Sequence, residues 1–150
     1  MNKPVPIHES TITDTVWRTL RLVFGLVPIV AGLDKFTNLL VDWSKYLAPF
    51  IAHMVPPHGF MMLVGVIEIV AGIGVLFTPW TKLFAWIVGI WLIGIALDLL
   101  IAGYYDIAVR DVVMAVGAFT LGRLSEVRAT APEAERRPAS SLQPAQSHAG

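Results

Sequence analysis

Four blocks of almost unbroken apolar residues divide this chain, each near the length needed to cross a bilayer and separated by polar or turn-forming stretches. They run about 17–33, 59–77, 80–101 and 107–121. The blocks are apolar on every face, whereas a water-exposed helix keeps one polar face, so lipid is the solvent they fit. The pattern predicts an all-α integral membrane four-helix bundle. Thr78-Pro79 separates the second block from the third, and Gly103-Tyr104-Tyr105-Asp106 separates the third from the fourth, so consecutive spans stand antiparallel. Small residues at Ala85 and Gly89, Gly72 and Gly74, and Ala118 and Gly122 suit close helix approach in lipid.

The flanking segments read differently. Residues 1–16 form a polar leader, and no Ala-x-Ala cleavage site closes the first block, which therefore reads as a retained span within a transmembrane domain over 17–123. The connection from Asp34 to His58 is long, and over 41–51 it mixes aromatic, apolar and charged residues at helical spacing, predicting a short interfacial helix. Residues 124–150 lose hydrophobic periodicity and gain Pro, Ala, Ser, Gln and Glu, the composition of a disordered tail.

Lys and Arg set the expected orientation. Lys3, Arg18, Arg21, Lys82, Arg123, Arg128, Arg136 and Arg137 fall on one side, and Lys35, Lys45 and Arg110 on the other. The excess predicts both termini in the cytoplasm and the long loop outside. Composition agrees with a membrane chain: 55% of residues are apolar and mean hydropathy is +0.66. With 11 basic and 11 acidic side chains, nothing points to nucleic acid. The absence of cysteine excludes disulfides, thiol redox chemistry and cysteine-ligated clusters within this chain.

Against this background, charges inside the apolar blocks stand out, since each costs at least ~2.5 kcal/mol at the bilayer centre unless it faces protein or water. Glu68 lies mid-span in the second block and is the deepest ionisable group. Such a carboxyl is neutral much of the time unless a cation pairs with it, as a proton carrier or a donor to a carbonyl requires. Asp98 sits one turn inside the outward end of the third span, and Arg110 with Asp111 one turn inside that of the fourth. Asp34 and Lys35 close the first on the same side. These six residues form the candidate quinone or proton site. By helical rise Glu68 is ~13 Å below the start of its span and Arg110 ~5 Å below the start of its own, so a direct pair needs the arginine to reach downward. The plainer alternative is a set of ion pairs locking helices, such as Asp98 with Arg110. Arg21 reads as a snorkelling anchor on the cytoplasmic side.

His53 and His58 flank Met54-Val55-Pro56-Pro57, but the prolines prevent a shared helical face and no further ligand completes a set, so no metal is expected. Trp17, Trp43, Tyr46, Trp80, Tyr104 and Tyr105 fall near span boundaries and read as aromatic belt residues.

Three stretches together resemble the DoxX family of small four-helix membrane proteins. They are Leu20–Gly25 with Gly32-Leu33-Asp34-Lys35-Phe36 around the first span, Glu68–Gly74 in the second and Arg110–Gly117 in the fourth. The resemblance covers about Arg18 to Arg123, and the Asp34-Lys35-Phe36 end with its long loop looks like a divergent branch. It implies a bacterial or archaeal cytoplasmic membrane and association with redox systems, and it carries Arg21, Lys35, Glu68 and Asp111 over as the matching polar positions. Relatives serve as the membrane subunit of a thiosulfate:quinone oxidoreductase or assemble with soluble redox and detoxifying enzymes. The leading expectation is therefore a small membrane subunit of a redox complex that binds quinone or relays protons through Glu68, with no covalent cofactor and with protein partners supplying electrons. Two alternatives remain: a non-catalytic accessory subunit anchoring a larger assembly, and a small-solute or proton-coupled transporter. The absence of a broken helix pair at the midplane weighs against the transporter.

Overall fold

The computed structural model describes residues 7–136, with side chains for 11–130. Among these residues there are five α-helices, one 3-10 turn and no strand. Helix α1 spans Ile7–Thr37, the 3-10 turn Trp43–Tyr46, α2 Pro49–Met54, α3 Pro57–Phe77, α4 Thr81–Ala102 and α5 Tyr105–Arg136. The long helices alternate in direction. One end of the bundle carries the start of α1, the α3–α4 turn and the far end of α5; the other carries the loop segment and the α4–α5 turn. Helix α1 packs chiefly on α3 and α4 chiefly on α5, with lesser contact between the two pairs.

Three helices are long and apolar enough to cross a membrane: α1 over Thr11–Thr37, α3 and α4. Helix α5 is not among them, because Asp106, Arg110, Asp111 and Arg123 interrupt its hydropathy, yet it lies along α4 as the fourth member of the bundle. The protein is thus an all-helical, multi-pass membrane protein whose surroundings are a lipid bilayer.

Two helices run beyond their apolar blocks. Helix α1 begins at Ile7, inside the polar leader expected over 1–16: no Gly or Pro interrupts Ile7–Phe24, and the Thr15 and Thr19 hydroxyls bond back to the Thr11 and Thr15 carbonyls. Helix α5 continues to Arg136, past residue 124 where the sequence places the onset of disorder. The cause is partnership with α1: Trp17 Nε1 donates to Ser125 Oγ at 2.8 Å, and Arg128 Nη1 lies 3.4 Å from Asp14 Oδ1. Residues 137–150 lie outside those described.

The interior is small. Phe24, Ala71, Val75, Ala85, Val88, Ala118 and Leu121 form its centre, while Leu22, Val66, Ile90 and Val113 point outward. In lipid, where tails are as apolar as leucine, contact depends on close packing. Helices α1 and α3 achieve it through glycine on both sides. A Cβ added to Gly32 would stand 2.5 Å from the Gly65 carbonyl oxygen, one on Gly65 2.6 Å from that of Gly32, and one on Gly72 2.5 Å from that of Gly25. Of the small residues named from the sequence, Gly72 belongs to this crossing, while Gly74, Gly89 and Gly122 make room for the rings of Phe84, Phe119 and Trp86.

The interfacial helix expected over 41–51 resolves into two pieces. Pro49 disfavours helical backbone at Ala48, which is extended with ψ of 137°, so the 3-10 turn ends and α2 starts afresh. Leu47 and Ala48 are buried, and the Ala48 N–H donates to Asp98 Oδ1 at 3.1 Å. Tyr46 meets Tyr104 edge-on at 4.8 Å between centroids. The segment is therefore folded onto the bundle end.

Candidate functional site

Near the loop end, one polar side chain reaches inward from each of three helices. Lys35, on the last turn of α1, extends its ammonium to Glu68 of α3, and Nζ donates to Oε2 at 2.6 Å. Their side chains are 4% and 9% exposed, so this is a buried ion pair. It lies close to the Gly32–Gly65 crossing: the Cβ atoms of Lys35 and Glu68 are each 3.2 Å from where a Cβ on Gly65 or Gly32 would stand. Asp111 of α5 is also buried, and the charges of its neighbour Arg110, then of Glu68 and Lys35, act on it.

A second layer covers the pair. The Trp43 ring lies over the ammonium, 3.8 Å from Nζ to its centroid, a cation–π contact strengthened by exclusion of water. Asp34 holds that ring in place, for Trp43 Nε1 donates to Asp34 Oδ2 at 2.7 Å. The other Asp34 oxygen accepts the N–H groups of Leu39 at 2.9 Å and Leu40 at 3.0 Å. Those bonds stabilise the turn in which Asn38 takes the left-handed φ of 51°, a conformation asparagine tolerates better than most residues. Asp34 thus positions the loop and the indole and does not face the ion pair's partners. From α4, Trp91 Nε1 is buried beside the Glu68 carboxyl, where its N–H bears on the carboxylate charge.

The six candidates separate on this geometry. Lys35, Glu68 and Asp111 come together. Asp34 supports them, and Asp98 binds the loop backbone instead. Arg110 is exposed and turned away: successive residues on a helix differ by about 100°, so α5 directs Asp111 inward and its neighbour outward. The cation for Glu68 is therefore Lys35, and the Asp98–Arg110 lock is not formed among the hydrogen bonds and ion pairs described. Arg21, expected as an anchor, has defined partners within the bundle. Its guanidinium turns inward and donates to the carbonyls of Val75 at 2.9 Å, Leu76 at 2.7 Å and Thr78 at 3.1 Å, capping the C-terminus of α3, where a cation also meets the negative end of the helix.

Sequence reasoning passed over Trp43 and Trp91. The first reads as a belt residue by position, and the second sits unmarked within an apolar run. Trp17 also leaves the belt, its ring taking Arg128 at 4.0 Å and Arg21 at 4.9 Å, while Trp80 and Tyr105 remain exposed. His53 is exposed, with Nδ1 donating to the Pro49 carbonyl, and His58 is exposed at the start of α3. Among the described residues no group of three or more His, Cys, Asp or Glu is placed to hold a metal ion.

The order of elements, the cluster between α1 and α3, and the apolar helices coincide with a family match: the model described as DoxX covers residues 16–101. The chain belongs to the DoxX family. Neither a curated protein nor a solved structure matches it. The DoxX match contains Arg21, Lys35, Trp43, Glu68, Trp91 and Asp98 but stops before α5, so Asp111 lies beyond it, although the resemblance read from the sequence extends to Arg123.

Chemically, the cluster holds two carboxyls and one ammonium. A lysine ammonium has three N–H donors; one goes to Glu68, and the Trp43 face shields the ammonium. With the Trp91 N–H beside the Glu68 carboxyl, this leaves donor capacity on the ammonium toward an acceptor, and two buried carboxyls accompany one buried ammonium.

Proposed function

We propose that this DoxX protein is a small membrane subunit of a quinone-linked redox assembly, in bacterial or archaeal cytoplasmic membrane with both termini inside. The carrying observation is the buried Lys35–Glu68 pair, with the Trp91 N–H beside the Glu68 carboxyl and Asp111 buried on α5. Conversion of a quinone to a quinol takes two electrons and two protons. The ammonium of Lys35 and the indole of Trp91 supply donors for a carbonyl oxygen, Asp111 in its neutral form supplies a proton, and the ionised Glu68 accepts the proton that replaces it. Cysteine-free, the chain calls for a protein partner whose own redox centre delivers the electrons.

The test is binding of a short-chain quinone analogue to the detergent-solubilised protein, followed by quenching of tryptophan emission. Glu68→Gln and Asp111→Asn each weaken binding about tenfold, the scale of one charge-assisted hydrogen bond, while helical content is kept. Equal binding by wild type and both variants overturns the proposal.

A second reading has its own support. The ion pair borders the glycine crossing of α1 and α3, where an inter-helix clamp belongs, as an accessory subunit anchoring a larger assembly requires. It is favoured if Glu68→Gln lowers thermal stability and copurification of partners while quinone binding is unchanged.

A further inference from the structure

At the opposite end of the bundle, an open cleft of about 760 Å³ lies between α1, the α3–α4 turn and the far part of α5. Among the described residues, three cationic side chains line it, Arg21, Lys82 and Arg128, and no carboxylate does. The nearest acids are engaged on its margins: Glu126 Oε1 is 2.8 Å from Lys82 Nζ, and Asp14 is the 3.4 Å partner of Arg128. That Asp14 contact is an ion pair without hydrogen-bond geometry, and the buried Arg128 Nη1 has no hydrogen-bond partner among the described residues. Arg21 and Arg128 both rest on the Trp17 ring, 4.9 Å and 4.0 Å from its centroid.

The cleft is also amphipathic. Its rim bears Phe77, Trp80 and Leu83, which are 76%, 65% and 54% exposed. They lie where α3 and α4 leave their apolar spans. A purely aqueous anion does not call for such a rim, whereas a molecule with a phosphate and hydrocarbon chains satisfies both parts at once.

We propose that this cleft binds the phosphate of an anionic phospholipid, with Lys82 and Arg128 as the principal contacts and the acyl chains running past Phe77, Trp80 and Leu83. Arg21 contributes positive potential while remaining committed to the α3 carbonyls. Basic recesses between membrane helices suit anionic headgroups, each cation near the membrane surface contributing ~1 kcal/mol.

The experiment titrates phosphatidylglycerol or phosphatidylcholine into the delipidated full chain in neutral detergent, reading bound lipid by native mass spectrometry and the thermal midpoint in parallel. Wild type retains phosphatidylglycerol in preference to phosphatidylcholine. Lys82→Gln and Arg128→Gln each weaken that binding about fivefold, and the pair about 25-fold. Lys45→Gln, at the other end, leaves it unchanged. Lys82 is largely exposed, so Lys82→Gln reports on binding even if loss of Arg128 from Trp17 disturbs folding. No preference between the lipids in wild type, or full preference retained in Lys82→Gln, overturns the proposal. Displacement of the lipid by millimolar inorganic phosphate also overturns it, since the site then takes a soluble anion.

Discussion

Lys35 at the end of α1 and Glu68 in the middle of α3 meet at 2.6 Å inside the bundle, so the deepest carboxylate in the chain has its cation on the neighbouring helix. Removing one member leaves the other charged and buried without a partner, which costs about 3–5 kcal/mol, whereas removing both costs much less. Lys35→Met and Glu68→Gln should each lower the unfolding midpoint in detergent, and the double variant should lie above either single one. A double variant as unstable as the sum of the singles would show that the two do not act as a pair.

The glycine crossing offers a purely steric test. A methyl group at Gly32 collides with the Gly65 carbonyl, and helix α1 cannot move away without losing its main contact. Gly32→Ala should destabilise by about 1–3 kcal/mol, the usual cost of overpacking. Gly59→Ala, where an added Cβ meets nothing within 4 Å, is the matched control and should be near neutral. Chemical unfolding of both variants in the same micelle checks the difference.

Trp43 joins two interactions that substitution separates. Trp43→Phe keeps a ring over the ammonium but loses the bond from Nε1 to Asp34, at a cost of about 1 kcal/mol. Trp43→Ala loses both and exposes the pair. Hydrogen exchange at the Leu39 and Leu40 amides should quicken slightly in the first and more in the second. Exchange unchanged from wild type in both would separate the indole from the Asp34 turn.

Protonation at the polar end gives a pH signature. The Glu126 carboxyl is held below its ordinary value of 4.5, first by the hydrogen bond from Lys82 and then by that from Arg123. A carboxyl whose folded value is depressed adds stability above its unfolded value, and that contribution disappears as pH falls through the folded one. Glu126 is half-buried at the water-facing surface, its side chain 29% exposed, so the effect is small and screened by salt. Wild type should exceed Glu126→Gln in thermal midpoint at pH 6, with the gap closing toward pH 3. A gap that widens on acidification contradicts this assignment.

Much of the architecture could be read from the apolar blocks, since a run without a polar face admits few structures. Glu68 was legible for the same reason: a lone carboxyl among Met61–Ile67 and Ile69–Phe77 is conspicuous. Its partner was not, because depth along separate helices says nothing of how far a flexible lysine extends or which helices adjoin. Arg110 and Asp111 look equivalent in the sequence and differ only by rotation about α5. Gly25 with Gly32 and Gly65 with Gly72 did carry a signal, the same seven-residue spacing on two antiparallel helices, which becomes meaningful once α1 and α3 are known to touch. The extension of α1 and α5 beyond the blocks depends on their mutual contacts, which local composition does not encode.

The pairing of α1 with α3 and of α4 with α5 also bears on how the protein enters the membrane. Each pair is a hairpin of successive long helices, so ribosomal synthesis presents them in sequence. The first hairpin carries Lys35 and Glu68 together and can partition into lipid with one charge cancelling the other. Asp111 arrives only with the second hairpin, and the cluster is complete when the two halves have joined.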